Sequence, residues 1–463
     1  MSDSTKPNRV AVIDIGKTNA KVVVIDTGSG EEIAGEKRTN PVLRDGPYPH
    51  YDVEMLWHFI LSALQRFGRE PGFDAISITT HGASAALLDG NGDLAMPVLD
   101  YEHVYPEPVQ EAYREIRPDF VETGSPQLPA GLNLGAQIHF QKTTFPDEFA
   151  RVRDIVTYPQ YWAGRLTGIQ ATETTSLGCH TDLWNPRLKS FSSLVERLGI
   201  EHLMAPVRSA FDVLGTIAPS LAQETGLSPD MPVYCGIHDS NASLLPHLLR
   251  RDGDFSVVST GTWVVNFAIG GKADALDPSR DTLLNVDALG RPVPSSRFMG
   301  GREYEMLAQQ FGAETIDEID AALGGVIEKG MMLLPSVVSG SGPFPENAAR
   351  WIADSDATGA ERHATTSLYL ALMTEFCLSL VERRGPIVVE GPFAGNTLYL
   401  KALAAFATTD VIAMEGSTGT SAGAALLTGI KPVAGRERHF TAGDIPELTS
   451  YRTAWRGHLT LPK

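Results

Sequence analysis

Apolar positions along the chain gather into short β-branched runs separated by polar turns, and these alternate with longer stretches of helical periodicity. Val10-Ala-Val-Ile13, Asp14-Ile-Gly-Lys-Thr-Asn-Ala-Lys21 and Val22-Val-Val-Ile25 follow one another. Two β-branched runs around a Gly-containing polar turn predict a β-hairpin. The figure recurs downstream as Phe255-Ser-Val-Val258, Ser259-Thr-Gly-Thr262 and Trp263-Val-Val-Asn-Phe267. Each copy stands near the start of about half the chain, the trace of a duplicated α/β domain whose two lobes face each other across a cleft.

Between the hairpins, Ala75-Ile-Ser-Ile78 predicts a buried strand ending in Thr79-Thr-His81-Gly-Ala, and Ala86-Leu-Leu-Asp89 a second strand turned by Gly90-Asn-Gly92. Residues 97–150 are Pro-rich and read as an irregular cap over a site. The spacing predicts a helix over 152–166, stopped by Thr167-Gly168. Val233-Tyr-Cys-Gly236 reads as a strand running into Ile237-His-Asp239. A helix over 242–249 follows, and the lobe junction is expected there, with residues 1–245 and 246–463 as the two lobes. The last third predicts a helix over 365–383 ended by Gly385-Pro386, a strand over 387–389 and a loop over 390–396. A helix over 398–407, a strand over 411–414 and a small-residue helix over 416–427 complete the pattern. Small residues there permit close backbone approach of a ligand or a packed helix.

Composition narrows the class. The chain has 463 residues, 43% hydrophobic and 20% charged, enough for two or three domains with large cores. It is not the composition of a disordered, collagen-like or disulfide-stapled protein. The formal net charge of −18 argues against nucleic acid and membrane partners, both of which call for basic patches. An anionic ligand must then be held locally, by backbone N–H groups, a few cations or a metal ion. Cys179, Cys235 and Cys377 are too few and too far apart for a disulfide framework or a zinc site and fit a reducing cytoplasm. Met1 to Arg9 is polar, with no apolar export segment. The longest apolar stretch, Leu368 to Val381, contains Glu375 and is too short to span a bilayer. A cytoplasmic, soluble protein is expected.

Three places could carry chemistry. Gly16, Lys17, Thr18 and Asn19 present backbone N–H groups and polar side chains in a small space, which suits phosphate oxygens, and Asp14 at the strand end could hold a hydrated magnesium ion. The Gly16-Lys17-Thr18 triplet is not a P-loop, because the upstream glycine is missing. The ordinary alternative is a hairpin with a solvent-facing Asp. Ser259-Thr260-Gly261-Thr262 is the second phosphate candidate, against a self-satisfied hairpin turn. Asp239 is the sharpest single residue. It is either a helix N-cap or a general base that takes a hydroxyl proton as the oxygen attacks a γ-phosphate. His238 beside it could orient that base or touch a hydroxylated substrate, although a lone histidine is more often structural.

In order along nearly the whole chain, these segments resemble the FGGY carbohydrate kinases of the actin/hexokinase/Hsp70-like ATPase superfamily. Asp14-Ile-Gly-Lys-Thr-Asn-Ala-Lys21 is similar to that family's first phosphate motif, and Thr80-His81-Gly82 with Leu87-Leu-Asp89 to its sugar-side segment. Tyr161-Trp-Ala-Gly-Arg-Leu-Thr-Gly168 resembles its Leu-Thr-Gly helix end. Gly236-Ile-His-Asp239 resembles the segment bearing the catalytic Asp, and Ser259-Thr-Gly-Thr-Trp263 the second phosphate motif. Glu390-Gly391 to Asn396 resembles the adenosine motif, and Gly416 to Leu427 the C-terminal helix. Within the family, the His-Asp segment and the later Ser-x-Gly-Thr-Trp look most like the rhamnulokinase and L-fuculokinase branch. Three departures stand out. Lys17 replaces a small or hydroxyl residue, Gln137-Ile-His-Phe140 replaces a Lys-x-x-Trp segment, and Glu390-Gly391-Pro392 replaces a run of glycines.

The resemblance implies two duplicated ribonuclease-H-like lobes, and ATP and Mg²⁺ between them. It places Gly16, Lys17, Thr18, Asn19, Gly261 and Thr262 near the phosphates, Asp14 near the metal, and Gly391 and Asn396 beside the adenosine. Asp239 would be the base, with His81, His238, Asp100 and Asn133 as candidate sugar ligands. The implied reaction is phosphorylation of a terminal hydroxyl of a ketose, foremost a 6-deoxyhexulose such as L-rhamnulose or L-fuculose. L-ribulose and D-xylulose stay open, as does a homodimeric assembly. A catalytically silent sugar- or nucleotide-binding regulator on the same fold and an actin-like structural ATPase are the alternatives from other classes.

Overall fold

Strand β1 (Arg9–Ile15) sets the frame of the N-terminal region, because its residues are buried on both faces from Val10 onward. It pairs antiparallel with β2 (Asn19–Asp26), which pairs antiparallel with β3 (Glu32–Thr39). On its other side β1 runs parallel to β4 (Ala75–Thr80). Beyond β4 lie β5 (Val213–Thr216), β6 (Pro232–Tyr234) and β7 (Ile237–His238), with the order β5-β6-β4-β1-β2-β3 and β7 also on β4. Alternation along the strands sorts the core. Ala11, Ile13 and Ile15 pack with Leu56, Ile60 and Leu64 of α1 (Val53–Arg69) and with Trp162 of α3 (Tyr158–Thr167). Val10 and Val12 pack on the opposite face with Ala242 and Leu245 of α4 (Asp239–Arg250) and Ala424 of α7 (Thr420–Ala425). A strand covered on both faces reads as a continuous apolar run, which is what Val10 to Ile13 is.

The computed structural model describes residues 6–415, 419–443 and 446–459. The expected opening of the small-residue helix at Gly416-Ser417-Thr418 lies outside them. The chain divides into two units, one of Met1–Arg250, Leu284–Pro292 and Thr418–Val433, the other of Arg251–Leu283, Val293–Ser417 and Ala434–Lys463. In the second unit β8 (Phe255–Thr260) pairs antiparallel with β9 (Val264–Ile269), and β9 with β10 (Pro292–Phe298). On the other side β8 runs parallel to β11 (Ile387–Glu390) and β11 parallel to β12 (Val411–Glu415), with β13 (Arg436–Phe440) antiparallel at the edge. Three antiparallel strands, two parallel neighbours and an antiparallel edge occur in both units, as a duplicated domain requires. Leu368 and Leu372 of α5 (Gly359–Leu380) and Leu400 and Leu403 of α6 (Thr397–Ala407) fill the second core.

The hairpins stand where the pattern predicts them, and four expectations need correction. Residues 97–150 are not irregular: helices occupy Glu107–Ile116, Phe120–Thr123, α2 (Leu134–Thr144) and Pro146–Phe149. Prolines open the first and last of these, where a missing N–H costs nothing. The helix expected over 152–166 begins at Tyr158, because β-branched Ile155, Val156 and Thr157 belong to a strand paired with Ala85–Leu88. Helix α4 starts at Asp239 rather than at Ala242. Helix α5 starts at Gly359, where Thr358 and Glu361 form a capping box, and ends at Leu380. Among the described residues no helix is long and apolar enough to cross a membrane, and Cys179, Cys235 and Cys377 are buried.

Candidate active site

The carboxyl ends of three adjacent parallel strands meet in the first unit. Ile15 of β1 is in register with Thr80 of β4, and Thr80 with His238 of β7. Asp14, His81 and Asp239 therefore leave the sheet side by side at one edge, the place where open α/β sheets bind ligands. The His81 amide donates to the Ile15 carbonyl at 2.8 Å, which fixes the step from β4 into the loop. Gly82 lets that loop touch β7, since a Cβ there would stand 2.6 Å from His238 Nε2.

Asp14 is 6% exposed. Its Oδ2 accepts from the hydroxyl of Thr420, from that of Ser421 at 2.7 Å, and lies 3.5 Å from Lys21 Nζ. Helix α7 thus delivers two hydroxyls to one side of the carboxylate. Asp239 is the first residue of α4, and its side chain is 30% exposed. Burial pushes its carboxyl up to about 6, with the Asp14 charge adding to the rise and His81 opposing it. His238 Nε2 lies 3.1 Å from Asp239 Oδ1, and burial holds that imidazole down at about 4, so it is neutral at pH 7.

His81 is likewise pushed down to about 4 by burial. Its Nδ1–H donates to the Gly82 carbonyl at 2.8 Å, which leaves Nε2 as a lone-pair acceptor. That Nε2 is buried with no hydrogen-bond partner among the described residues. Three tyrosines surround the ring: Tyr158, Tyr51 and Tyr101, with centroids 5.0, 5.1 and 5.4 Å away. The Tyr158 hydroxyl is also buried without a partner. Buried acceptors and hydroxyls that the protein leaves unpaired next to aromatic faces suit a polyhydroxylated molecule, because an unpaired buried polar group costs about 1–3 kcal/mol until something binds it.

Lys17 reaches toward this chamber. Its ammonium pairs with Asp100, lies 3.4 Å from Glu102 and sits 4.6 Å from the Tyr101 ring centroid. Asp100 also takes the Glu102 N–H at 3.2 Å and approaches the Tyr51 hydroxyl at 3.4 Å. Gly16 N–H closes its turn on the Asn19 carbonyl at 2.8 Å, and Asn19 Nδ2 donates to the Thr18 hydroxyl at 3.0 Å. Asn133 holds loops: its Oδ1 accepts from Leu128 N–H at 2.8 Å, and its Nδ2 donates to the carbonyls of Pro126 and His180 at 3.0 and 2.9 Å.

In the second unit the β8–β9 turn leaves Gly261 and Thr262 exposed. Thr260 ties that turn to the end of β11, donating its hydroxyl to Glu390 C=O at 2.6 Å and accepting Phe393 N–H at 3.1 Å. Gly391 adopts φ +81°, and a Cβ there would lie 2.0 Å from the Thr260 carbonyl oxygen. Asn396 caps α6 through Tyr399 N–H at 2.9 Å and donates to Ser367 Oγ at 2.9 Å.

Sequence reasoning missed the tyrosine ring around His81 and the buried Glu173. That carboxylate is 0% exposed and is pushed up to about 7 by burial. Three hydroxyl residues, Thr174-Thr175-Ser176, follow it directly and mark it as a cap.

Residues 10–246 match the N-terminal domain of the FGGY family of carbohydrate kinases, and residues 252–437 the C-terminal domain of carbohydrate kinase FGGY. An L-fuculokinase of Haemophilus influenzae is 27% identical over 278 residues, 56% of this chain and 57% of that protein. The chain thus spans little more than half the length of the curated relatives it matches. The crystal structure of a carbohydrate kinase from Novosphingobium aromaticivorans superposes with a TM-score of 0.90 at 37% identity, covering 96% of this chain and 99% of that one. A ligand-bound xylulose kinase from Lactobacillus acidophilus superposes with a TM-score of 0.80 at 16% identity, covering 97% and 96% of the two chains. At that identity the likeness is one of fold.

Proposed function

Because the chain belongs to the FGGY family of carbohydrate kinases, we propose that it transfers the γ-phosphoryl group of ATP to a terminal hydroxyl of a ketose. The observation that carries this reading is the convergence of Asp14, His81 and Asp239 at adjacent strand ends. In the transfer the Asp239 carboxylate takes the hydroxyl proton and the sugar oxygen forms its bond to Pγ. The bond from Pγ to the bridging oxygen breaks, and ADP leaves. The carboxylate that burial holds near 6 is ionised at neutral pH yet closer to a hydroxyl's needs than an ordinary aspartate.

His81 Nε2 would accept from a sugar hydroxyl, with the tyrosine faces against the C–H surface of the ring-opened sugar and Asp100 oriented by Lys17. The backbone turns at Gly16–Asn19 and Gly261–Thr262 would contact phosphate oxygens, and the edge at Gly391 the adenosine. Among the described residues no cluster of three His, Cys, Asp or Glu side chains exists to cage a metal, which fits Mg²⁺, a hard ion content with one or two carboxylates plus substrate phosphates. Asp14 would hold it, and the ion would neutralise charge developing on the transferred phosphoryl group.

A 6-deoxyhexulose such as L-fuculose or L-rhamnulose leads as substrate, supported by the L-fuculokinase relative. A methyl-for-hydroxymethyl exchange is a weak discrimination, worth about 1–3 kcal/mol, so L-ribulose and D-xylulose belong in the same trial. We place the reaction in the cytoplasm, consistent with three cysteines too few and too far apart for a disulfide framework. Coupled ADP release across that ketose panel is the test: turnover above the sugar-free rate with at least one ketose is expected. ATP binding with no sugar-stimulated ADP release would leave a silent binding protein instead.

A further inference from the structure

Strand β7 is two residues long and, among the described residues, pairs only through Ile237 with Thr79 and His238 with Thr80. So short a ladder cannot by itself hold the first residue of α4 to the tolerance that proton transfer demands, where about 1 Å of misplacement can cost on the order of 100-fold in rate. The segment is gripped from both sides by side chains. On the carbonyl side Gln160 Nε2 donates to Cys235 C=O at 2.9 Å and to Gly236 C=O at 3.1 Å, while its Oε1 accepts from the Thr157 hydroxyl. On the amide side the His238 N–H donates to Thr175 Oγ1 at 3.1 Å. That hydroxyl donates its own proton to Glu173 Oε2 at 2.5 Å.

Glu173 does more than cap. Its two oxygens also take Thr175 N–H at 2.9 Å, the Thr174 hydroxyl at 3.1 Å and Ser176 N–H at 3.3 Å. It opens a helix of only four residues, Thr174–Leu177. A neutral Ser, Thr or Asn would cap that turn without the cost of burying a carboxylate. What Glu173 adds is a direction for the Thr175 hydroxyl: its hydrogen points to Glu173 Oε2 and a lone pair faces the His238 amide. We propose that Glu173 and Thr175 are positioning residues for the kinase reaction, a buried carboxylate–hydroxyl relay that fixes the His238–Asp239 backbone and thereby the direction of the reacting carboxylate. The inference rests on the reading of Asp239 as the base.

The test uses the full chain, with Thr175→Val, Thr175→Ser and Asp239→Asn assayed by ADP release alongside hydrogen exchange of the peptide containing the His238 amide. Thr175→Val removes the hydroxyl at nearly constant volume. It should lower kcat roughly 10- to 100-fold with the KM for ATP within about twofold, speed exchange at His238 at least tenfold, and add nothing in the Asp239→Asn background. Thr175→Ser keeps the hydroxyl and should restore most of the rate and the protection. A Thr175→Val protein with unchanged kcat, or unchanged exchange at His238, overturns the relay. So does a loss that Thr175→Ser shares. If the wild type is active and Asp239→Asn is equally active, the base reading fails first. If no ketose is turned over, the exchange arm still decides whether Thr175 holds the segment.

Discussion

The two units share a strand plan and differ in what they hang on it. In the first, the edge where β1, β4 and β7 end is loaded with side-chain chemistry: Asp14, Lys17, His81, which burial pushes down to about 4, and Asp239, which burial pushes up to about 6. In the second, the corresponding ends of β8 and β11 carry one carboxylate, Glu390, among Thr260, Gly261, Thr262 and Gly391, which offer hydroxyls and backbone. The difference fits a division of labour. A phosphate chain is held well by N–H groups and hydroxyls, while a sugar alcohol has to be desolvated, oriented and deprotonated by groups of matched pKa. Duplication supplied the scaffold, and the turns diverged.

The largest effect should come from the acid side. Asp239→Asn keeps the shape and removes the proposed base, so kcat should fall on the order of 10²–10⁴-fold while sugar affinity moves little. Isothermal titration of the sugar beside steady-state rates separates the two quantities. A variant that turns over at the wild-type rate would make the two sheet edges equivalent in chemistry and break the comparison.

On the other unit, Gly391→Ala probes backbone instead of charge. A methyl group 2.0 Å from the Thr260 carbonyl, at φ +81°, forces the β11 turn to move, at a cost of about 1–3 kcal/mol or more. The KM for ATP should rise about 10-fold or more and the melting temperature should fall, with sugar binding preserved. A rise confined to the sugar KM would show that the division of labour is drawn wrongly.

Much of this division is legible in the residues alone. Both hairpins, the carboxylate at the head of α4 and the small-residue segment before Leu427 are visible as local patterns, because strand alternation and turn chemistry are local. What escaped notice depends on contacts far apart in sequence. The helices within 97–150 hide behind prolines that a composition reading takes for breakers. The tyrosine ring joins Tyr51, Tyr101 and Tyr158 around His81 from four separate segments, and no spacing announces it. Asn133 is expected beside a sugar and Asn396 beside the adenosine, and the structure adds contacts that no spacing shows: the Asn133 amide holds loops and the Asn396 amide caps α6. Lys17 is the instructive case, a phosphate-turn residue by position whose ammonium pairs with Asp100.

Lys17→Met therefore sharpens the boundary within the first unit. Removing a charged partner of a buried carboxylate costs about 1.5–3 kcal/mol in the hydrogen bond alone. The sugar KM should rise roughly 10-fold while the KM for ATP stays within about twofold. The opposite split, ATP weakened and sugar unaffected, would return Lys17 to the phosphates.

The smallest effect is read in pH. With its carboxyl near 6 in the folded protein against 3.8 ordinarily, Asp239 must lose its proton to act, so kcat/KM for the sugar should climb as pH rises through about 6 and level off above it. The same shift has a stability sign. Because folding raises this pKa, the unfolded chain ionises first, and wild-type stability falls as pH rises from about 4 to 6 relative to a protein without the group. Asp239→Asn should consequently melt a few degrees higher than the wild type at pH 7–8, and the gap should close below about pH 4, where both forms are neutral. No neutral side chain in the second unit's turn has a charge to trade in this way, so Thr262→Val should shift the melting temperature equally at both pH values. Equal melting of wild type and Asp239→Asn at pH 8 would mean that the carboxylate is solvated as an ordinary surface aspartate, and the contrast between a charged edge and a backbone edge would lose its physical basis.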